Sequence, residues 1–445
     1  MSLIVLSLLA GCQSPRQVPE TLTDLPAQFS QYPVDTDPVI NSWLQTFASA
    51  DLDETVRIAL EQNYVLAQQR AELAISEQQL KIARSLRLPD LQLVFTGQRQ
   101  RPFLDARTET RFDINASVNF DLDVWGQLAD NQRRAALLLA GERMAYLDAE
   151  RRLATQTASA LFNAISADQL QRLFNSRLNI LNQSLDVIQQ GYRSGLNEAL
   201  DVYLAQNTVE QERANVATQQ QAIFSTRTAL ELLLAEYPGA NLAIPHDLPT
   251  PAPLTGVGIP ADLLQRRADI QAAWLALLAA DAELAIAQKD LLPGLSFTAN
   301  LRDQDNAIRR LLDGGEPAWT AAASLFQPIF QGGRLRAQRE QALLRVSQAE
   351  QRYLQVTFAA LAEVENELNN ARSLDLRFAA LTRAEANAAA ALTLANDQYL
   401  RGLVDYTTVL ESQRRAFDAQ TALVQLRNQL LQSRLALLLA LGGGY

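Results

Sequence analysis

From Arg111 to Leu122 the chain alternates without a break. Phe112, Ile114, Ala116, Val118, Phe120 and Leu122 fall on one face, and Arg111, Asp113, Asn115, Ser117, Asn119 and Asp121 on the other. A period of two over about ten residues predicts a strand with one apolar and one polar face. The same pattern places Leu91, Leu93 and Phe95 opposite Gln92, Val94 and Thr96, and Leu295, Phe297, Ala299 and Leu301 opposite Ser296, Thr298, Asn300 and Arg302. A fourth stretch carries Trp319, Ala321, Ala323 and Leu325. Strands are therefore expected at about 90–97, 111–122, 295–302 and 318–327, with the polar, Gly/Pro-containing segments 97–110 and 303–317 as surface loops. Two environments fit the alternation: a strand between lipid and water, or a half-buried soluble hairpin. Four strands cannot close a barrel with a lumen, so the first reading requires several copies of the chain.

Almost everything else carries helical periodicity. No proline occurs between Gln127 and Tyr192, a run that would extend about 100 Å as one helix. Near its end Leu178, Leu181, Leu185, Ile188 and Tyr192 alternate three and four. Val202, Val209, Val216, Ile223 and Leu230 then recur every seven, as do Leu410, Phe417, Val424, Leu431 and Leu438. A second stripe, Val409, Ala416, Leu423, Leu430 and Leu437, runs beside the last. Sustained heptads predict coiled-coil packing, and two adjacent stripes predict a helix with a neighbour on each side. An antiparallel soluble coiled coil accounts for the heptads too, but not for the strands.

The pattern is stated twice. Tyr192-x-x-Gly195-Leu196 returns as Tyr399-x-x-Gly402-Leu403, Gly126 returns as Gly333, and Leu88-Pro89 as Leu292-Pro293. The same parts in the same order mark a duplicated architecture. The halves span 51–236 and 261–445, each with a helix, two strands and a long helical hairpin, joined by the proline-rich segment 237–260 and preceded by a tail over 12–50. Gly195 and Gly402 suit the left-handed position that ends a helix, so Gly195, Leu196, Gly402 and Leu403 are expected at paired, exposed turns.

Composition narrows the chemistry. A formal net charge of -10 argues against nucleic acid, whose phosphates need basic patches. One cysteine and one histidine leave neither a His/Cys zinc site nor a histidine-based triad. Gln331-Gly332-Gly333-Arg334 lacks the Gly-Lys-Ser/Thr of a phosphate loop and reads as a sharp strand-to-helix turn. Glu363 and Glu365, two apart on a helix, point to different faces. His246 lies among prolines and reads as a surface residue. No catalytic constellation, cofactor or metal site is expected, and the chain is read as a non-enzyme.

The apolar run Leu3–Leu9 is too short to span a bilayer but fits the core of a secretion signal at 1–11. No other segment is expected to reach transmembrane-helix length. Leu9-Ala10-Gly11-Cys12 resembles the bacterial lipoprotein box, in which the cysteine is acylated, and Gln13 after it resembles sorting to the outer membrane. Met1-Ser2 departs from the usual signal in carrying no Lys or Arg. The alternative for Cys12 is a free buried thiol.

Several motifs together resemble the TolC-like outer-membrane factors, in particular the lipoprotein (NodT-like) branch of the multidrug efflux channels. They are Gly258-Ile259-Pro260-x-x-Leu263-Leu264-x-Arg266-Arg267-Ala268-Asp269-Ile270, Pro328-Ile329-Phe330-x-Gly332-Gly333-Arg334-Leu335, Phe120 to Gly126, and Ala440 to Tyr445. Ala268 stands where the family usually has proline. The resemblance implies a mainly α fold with a membrane β-barrel, built as a homotrimer whose twelve-strand barrel continues into a twelve-helix tunnel through the periplasm. It further implies an exit duct fed by a periplasmic adaptor and an inner-membrane resistance-nodulation-division pump, lipid-anchored through Cys12 in the bacterial outer membrane. The exit duct of a type I protein-secretion system and a non-transporting structural lipoprotein remain as alternatives. By the same resemblance, Thr407, Thr408 and Glu411 line the periplasmic aperture, with Asp201 as a second acidic layer or a cap, and the Gly195 and Gly402 turns receive the adaptor.

Overall fold

A computed structural model describes residues 19, 22, 25–30, 43–101, 108–251, 256–312 and 317–444. Cys12 and the signal segment lie outside them. The helices are α1 (Ala50–Gln62), α2 (Tyr64–Ser85), α3 (Gln127–Arg193), α4 (Ala199–Leu233), α5 (Leu263–Arg266), α6 (Ala268–Lys289), α7 (Ile308–Leu312), α8 (Arg334–Leu400) and α9 (Tyr406–Ala440). The strands are β1 (Asp90–Gln100), β2 (Glu109–Leu122), β3 (Gly294–Asp305) and β4 (Ala318–Phe326). The duplication is visible in the lengths. Both α3 and α8 have 67 residues, α4 and α9 have 35, and α2 and α6 have 22.

Contacts gather into two compact units that cut across the sequence halves. The first, within 71–145 and 271–356, holds all four strands and the helical stretches that enter and leave them. The strands form one antiparallel sheet in the order β1-β2-β3-β4. Register sets Leu91 against Val118, Phe95 against Ile114, Phe120 against Phe297, and Leu301 against Trp319 on the apolar face. Ser117 against Asn300 and Asn119 against Thr298 lie on the polar one. The strands outrun the sequence expectation. Pairs Gln98↔Arg111, Arg99↔Thr110 and Gln100↔Glu109 extend the first hairpin, and Ile114↔Asp303 through Phe112↔Asp305 extend β3. Hydrophobic alternation stops at these residues, but the ladder is made by backbone groups and continues. The segment expected to be loop over 303–317 also contains α7.

Both faces of the edge strands are exposed, and on the middle strands only some polar side chains are covered. On the polar side Asp113 is 9% exposed, whereas Leu91 and Trp319 on the apolar side are 72% and 75% exposed. Asp113 pairs with Arg302, Arg111 donates to Gln304, and Thr298 bonds the Asn119 amide oxygen at 3.2 Å. A half-buried soluble hairpin would hide its apolar face, whereas here Leu91, Leu93, Trp319 and Leu325 are open.

Helix α6 corrects one expectation: by length and by a mean hydropathy of 1.5 it is long and apolar enough to cross a membrane. Its alanines account for the value. Ala279, Ala282 and Ala285 are buried together with Leu277, and Asp281 and Glu283 interrupt the run; small side chains let neighbouring helices approach closely.

The second unit, within 19–70, 146–270 and 357–445, is helical. Its main core joins Trp43, Phe47, Leu52 and Val56 to Ala158, Phe162 and Ile165 of α3, Leu230 of α4, and Leu431, Leu435 and Leu438 of α9. The heptad positions Val209, Leu230, Val409, Ala416, Leu431, Leu437 and Leu438 are buried, as their spacing requires. Trp43 N–H donates to the Gly444 carbonyl at 3.0 Å, fixing the start of the described helical chain to its end. Glu363 and Glu365 do face different neighbours: Glu363 accepts from Arg267 and Glu365 from Ser30.

Candidate functional site

At the free ends of the two hairpins the chain turns through Gly195 and Gly402, each at φ +74°. In both turns the glycine N–H returns to the tyrosine three residues back, Tyr192 or Tyr399. The following leucine N–H reaches Gly191 or Gln398, five residues back. This paired arrangement satisfies the last helical carbonyls and needs a residue at ease in the left-handed region. A Cβ at either glycine would meet nothing within 4 Å. Leu196 is 83% and Leu403 69% exposed, so all four expected tip residues sit on open surface.

The two turns are not independent. Asn197, beyond the first, bonds the hydroxyl of Tyr399, before the second, at 3.0 Å. Tyr399 packs on Tyr406 with ring centroids 5.8 Å apart. Ile188, Ala205, Ala395, Tyr406 and Val409 form a small core beneath them. Burial, with the nearby Tyr399 and Asp201, pushes the Tyr406 hydroxyl up to about 12, so it stays a neutral donor at physiological pH.

Thr407, Thr408 and Glu411 are brought together. They line one cavity of about 400 Å³ with Ala388, Ala391 and Arg415, and Thr407 and Glu411 also border a second of about 440 Å³. Glu411 is clamped. Arg415 bonds it at 2.7 Å and Arg414 at 2.9 Å, and these bonds, Arg415's first, hold its carboxyl below the usual carboxylate range. Asp201 is placed apart from both cavities: its carboxylate accepts the Glu198 N–H at 3.3 Å and caps α4.

The second cavity contains residues that sequence reasoning missed. Arg177, buried on α3, lies between the rings of Phe174 and Phe417 at 5.3 and 4.7 Å. It donates to the Phe417 carbonyl and to the Thr421 hydroxyl. Glu212 and Gln413 are buried beside it. The one signal was an arginine beside the apolar pair Phe174 and Leu178 within a coiled-coil stripe. Among the described residues no group of three metal-ligating side chains occurs.

The sequence model of the family described as outer membrane efflux protein matches residues 55–236 and 259–443. The chain is 28% identical to the pyoverdine export outer membrane protein OpmQ of Pseudomonas putida, covering 99% of this chain and 96% of that one. It is 30% identical to the outer membrane protein OprJ of Pseudomonas aeruginosa, with 91% and 86% covered. Among solved structures it superposes on the outer membrane protein VceC of Vibrio cholerae with a TM-score of 0.83 at 26% identity, covering 92% and 100%. It also superposes on the channel OprN with a TM-score of 0.86 at 23%, covering 97% and 98%, a likeness of fold. The chain belongs to the outer membrane efflux protein family: a helical tunnel carrying a β-barrel, acting as the outer-membrane component of an efflux system.

Proposed function

We propose that three copies of this protein close a twelve-strand barrel and a twelve-helix tunnel, forming the exit duct through which a tripartite pump expels small molecules. The observation that carries the reading is a sheet whose large apolar side chains Leu91, Leu93, Trp319 and Leu325 lie uncovered, joined to two 67-residue helices. Passage through such a duct needs no bond chemistry. The wall supplies a water-filled path past hydrogen-bonding side chains.

In this reading the Gly195-Leu196 and Gly402-Leu403 turns receive the hairpin of a periplasmic adaptor, which couples the duct to an inner-membrane pump of the resistance-nodulation-division class. Cys12 carries the covalent lipid that anchors the trimer. Thr407, Thr408 and Glu411 form the periplasmic aperture, where the Arg414 and Arg415 clamp offsets the mutual repulsion of three glutamates around the axis. Purified protein in planar bilayers should give trimeric, cation-selective channels. Glu411→Gln should reduce that selectivity and the block by divalent cations, while bulky charged residues at Gly195 and Gly402 lower efflux in cells without preventing trimer formation. Silent bilayers would overturn the duct; unchanged selectivity and block in Glu411→Gln would remove Glu411 from the aperture.

A further inference from the structure

Although the chain is acidic as a whole, the helical turns at the edges of its sheet are not. The last turns of α2 and the two residues beyond it carry Lys81, Arg84 and Arg87 with no acid between Gln78 and Pro89; the first turns of α8 carry Arg334, Arg336 and Arg339 with none between them. All six are exposed. Among the described residues none has a carboxylate partner: Lys81 bonds Gln78, Arg87 bonds Gln132, and Arg334 bonds Gln331 and Gln338, amides that leave the charge uncompensated. Other cations of the same unit are matched, Lys289 by Asp130 at 2.5 Å, Arg143 by Glu77 at 3.5 Å, and Arg345 by Glu283. The nearest acids are not their partners. Asp90 lies on the polar face of β1, bonded to Gln92, and Glu340, four residues after Arg336 and so on the same face of α8, makes no ion pair with it among the described residues.

Topology brings the two segments together. β1 and β4 are the free edges of the four-stranded order, so ring closure pairs β4 of one copy with β1 of the next. α8 leaves β4 and α2 enters β1, and each seam therefore sets three cations beside three from the neighbouring copy. Like charges so placed repel unless an anion lies between them. An apolar surface adjoins them. Ile329 and Phe330, between β4 and α8, are each 88% exposed and follow the exposed Leu325 and Phe326 that end β4, a run of apolar surface such as lies at a membrane–water boundary.

We propose that each seam binds an anionic phospholipid of the leaflet at the helix end of the barrel, its phosphate between the two cation sets and its acyl chains against Ile329, Phe330 and the sheet. The site is completed by the second copy, so it rests on the trimeric reading.

Full-length protein in detergent, given equal phosphatidylglycerol and phosphatidylethanolamine, is examined by native mass spectrometry. The trimer should retain up to three phosphatidylglycerols with a preference of about tenfold or more, one basic residue at an anionic surface being worth roughly fivefold. Arg84→Gln/Arg87→Gln/Arg336→Gln/Arg339→Gln should abolish the preference, whereas Arg57→Gln/Arg213→Gln/Arg383→Gln/Arg401→Gln should leave it intact. An unselective wild-type trimer, or equal loss in both quartets, would overturn the lipid site alone; monomers only would remove the trimeric reading with it. Should the first quartet fail to assemble, wild-type trimers in rising salt decide, because the preference must fall with ionic strength and a salt-independent one refutes the site.

Discussion

Asn63 and Arg267 do the same job in the two halves by different chemistry. Each interrupts the helical run at the start of its half, between α1 and α2 or between α5 and α6, and each reaches the last turn of the hairpin that closes that half. Asn63 donates to the Leu233 carbonyl at 3.0 Å, while its oxygen caps α2 through the N–H groups of Val65 and Leu66. Arg267 donates to the Ala440 carbonyl at 3.0 Å, the equivalent position on α9, and also holds Asp269 at 2.8 Å and Glu363 at 2.7 Å. Asp269, in the first turn of α6, in turn accepts the Ile270 N–H at 2.9 Å. Duplication thus conserved the contact while one half concentrated buried charge on it. A neutral amide satisfies its neighbours one bond at a time, whereas a buried guanidinium ties three elements to a single residue and makes its removal expensive.

The largest test of that difference is truncation. Arg267→Ala should destabilise the trimer by about 3–5 kcal/mol, since it strands Asp269 in a half-buried site. Asn63→Ala should cost only about 1–2 kcal/mol, a cap and one hydrogen bond. Unfolding followed by circular dichroism measures both, and equal losses would erase the contrast.

Acid sharpens it. Burial of Asp269 opposes its charge, but the hydrogen bonds and charge of Arg267 prevail and hold the carboxyl below the usual range. Its contribution is complete above the ordinary aspartate value of about 4 and is lost as pH falls through the depressed one. The gap between wild type and Arg267→Met should therefore shrink below about pH 4, while the gap for Asn63→Ala stays level. Unfolding midpoints across that range read the two directly.

The ends of α4 and α9 offer a finer version. Both close with the same paired bonds, Glu236 N–H to Glu231 and Gly443 N–H to Leu438 five residues back. The left-handed residue is Ala235 at φ +59° in the first half and Gly442 at φ +70° in the second. Glycine is needed in the second because a Cβ there would lie 3.1 Å from the Arg266 carbonyl oxygen. Gly442→Ala should cost about 1–2 kcal/mol or more, combining left-handed strain with that approach. Ala235→Gly should change stability by about 0.5 kcal/mol or less, because relief of strain offsets added chain entropy. Thermal midpoints of the two variants check the ordering.

Much of the architecture was legible early. The repeated Tyr-x-x-Gly-Leu marked both tips, the alternation from Phe112 to Leu122 marked a strand and its polar face, and the heptads of α4 and α9 marked their buried stripes. The hairpin beyond Gly97 was not, because Gln98, Arg99 and Gln100 carry no alternation and are held by backbone pairing. Nor was the role of Arg177, whose neighbours Phe417 and Thr421 lie far along the chain, or the clamp on Glu411, which depends on rotamers as well as on spacing.

What the sequence determined by itself was everything set by local period: helix against strand, which face is apolar, where a left-handed residue ends a helix, and that the plan occurs twice. Such properties follow from backbone geometry within one element. Tertiary structure decided which charges meet. Arg267 finds Glu363 and Ala440 at separations of 96 and 173 residues, whereas Arg84 and Arg339 find no carboxylate among the described residues. Charge pairing depends on where elements come to rest, and no periodicity along the chain encodes that distance.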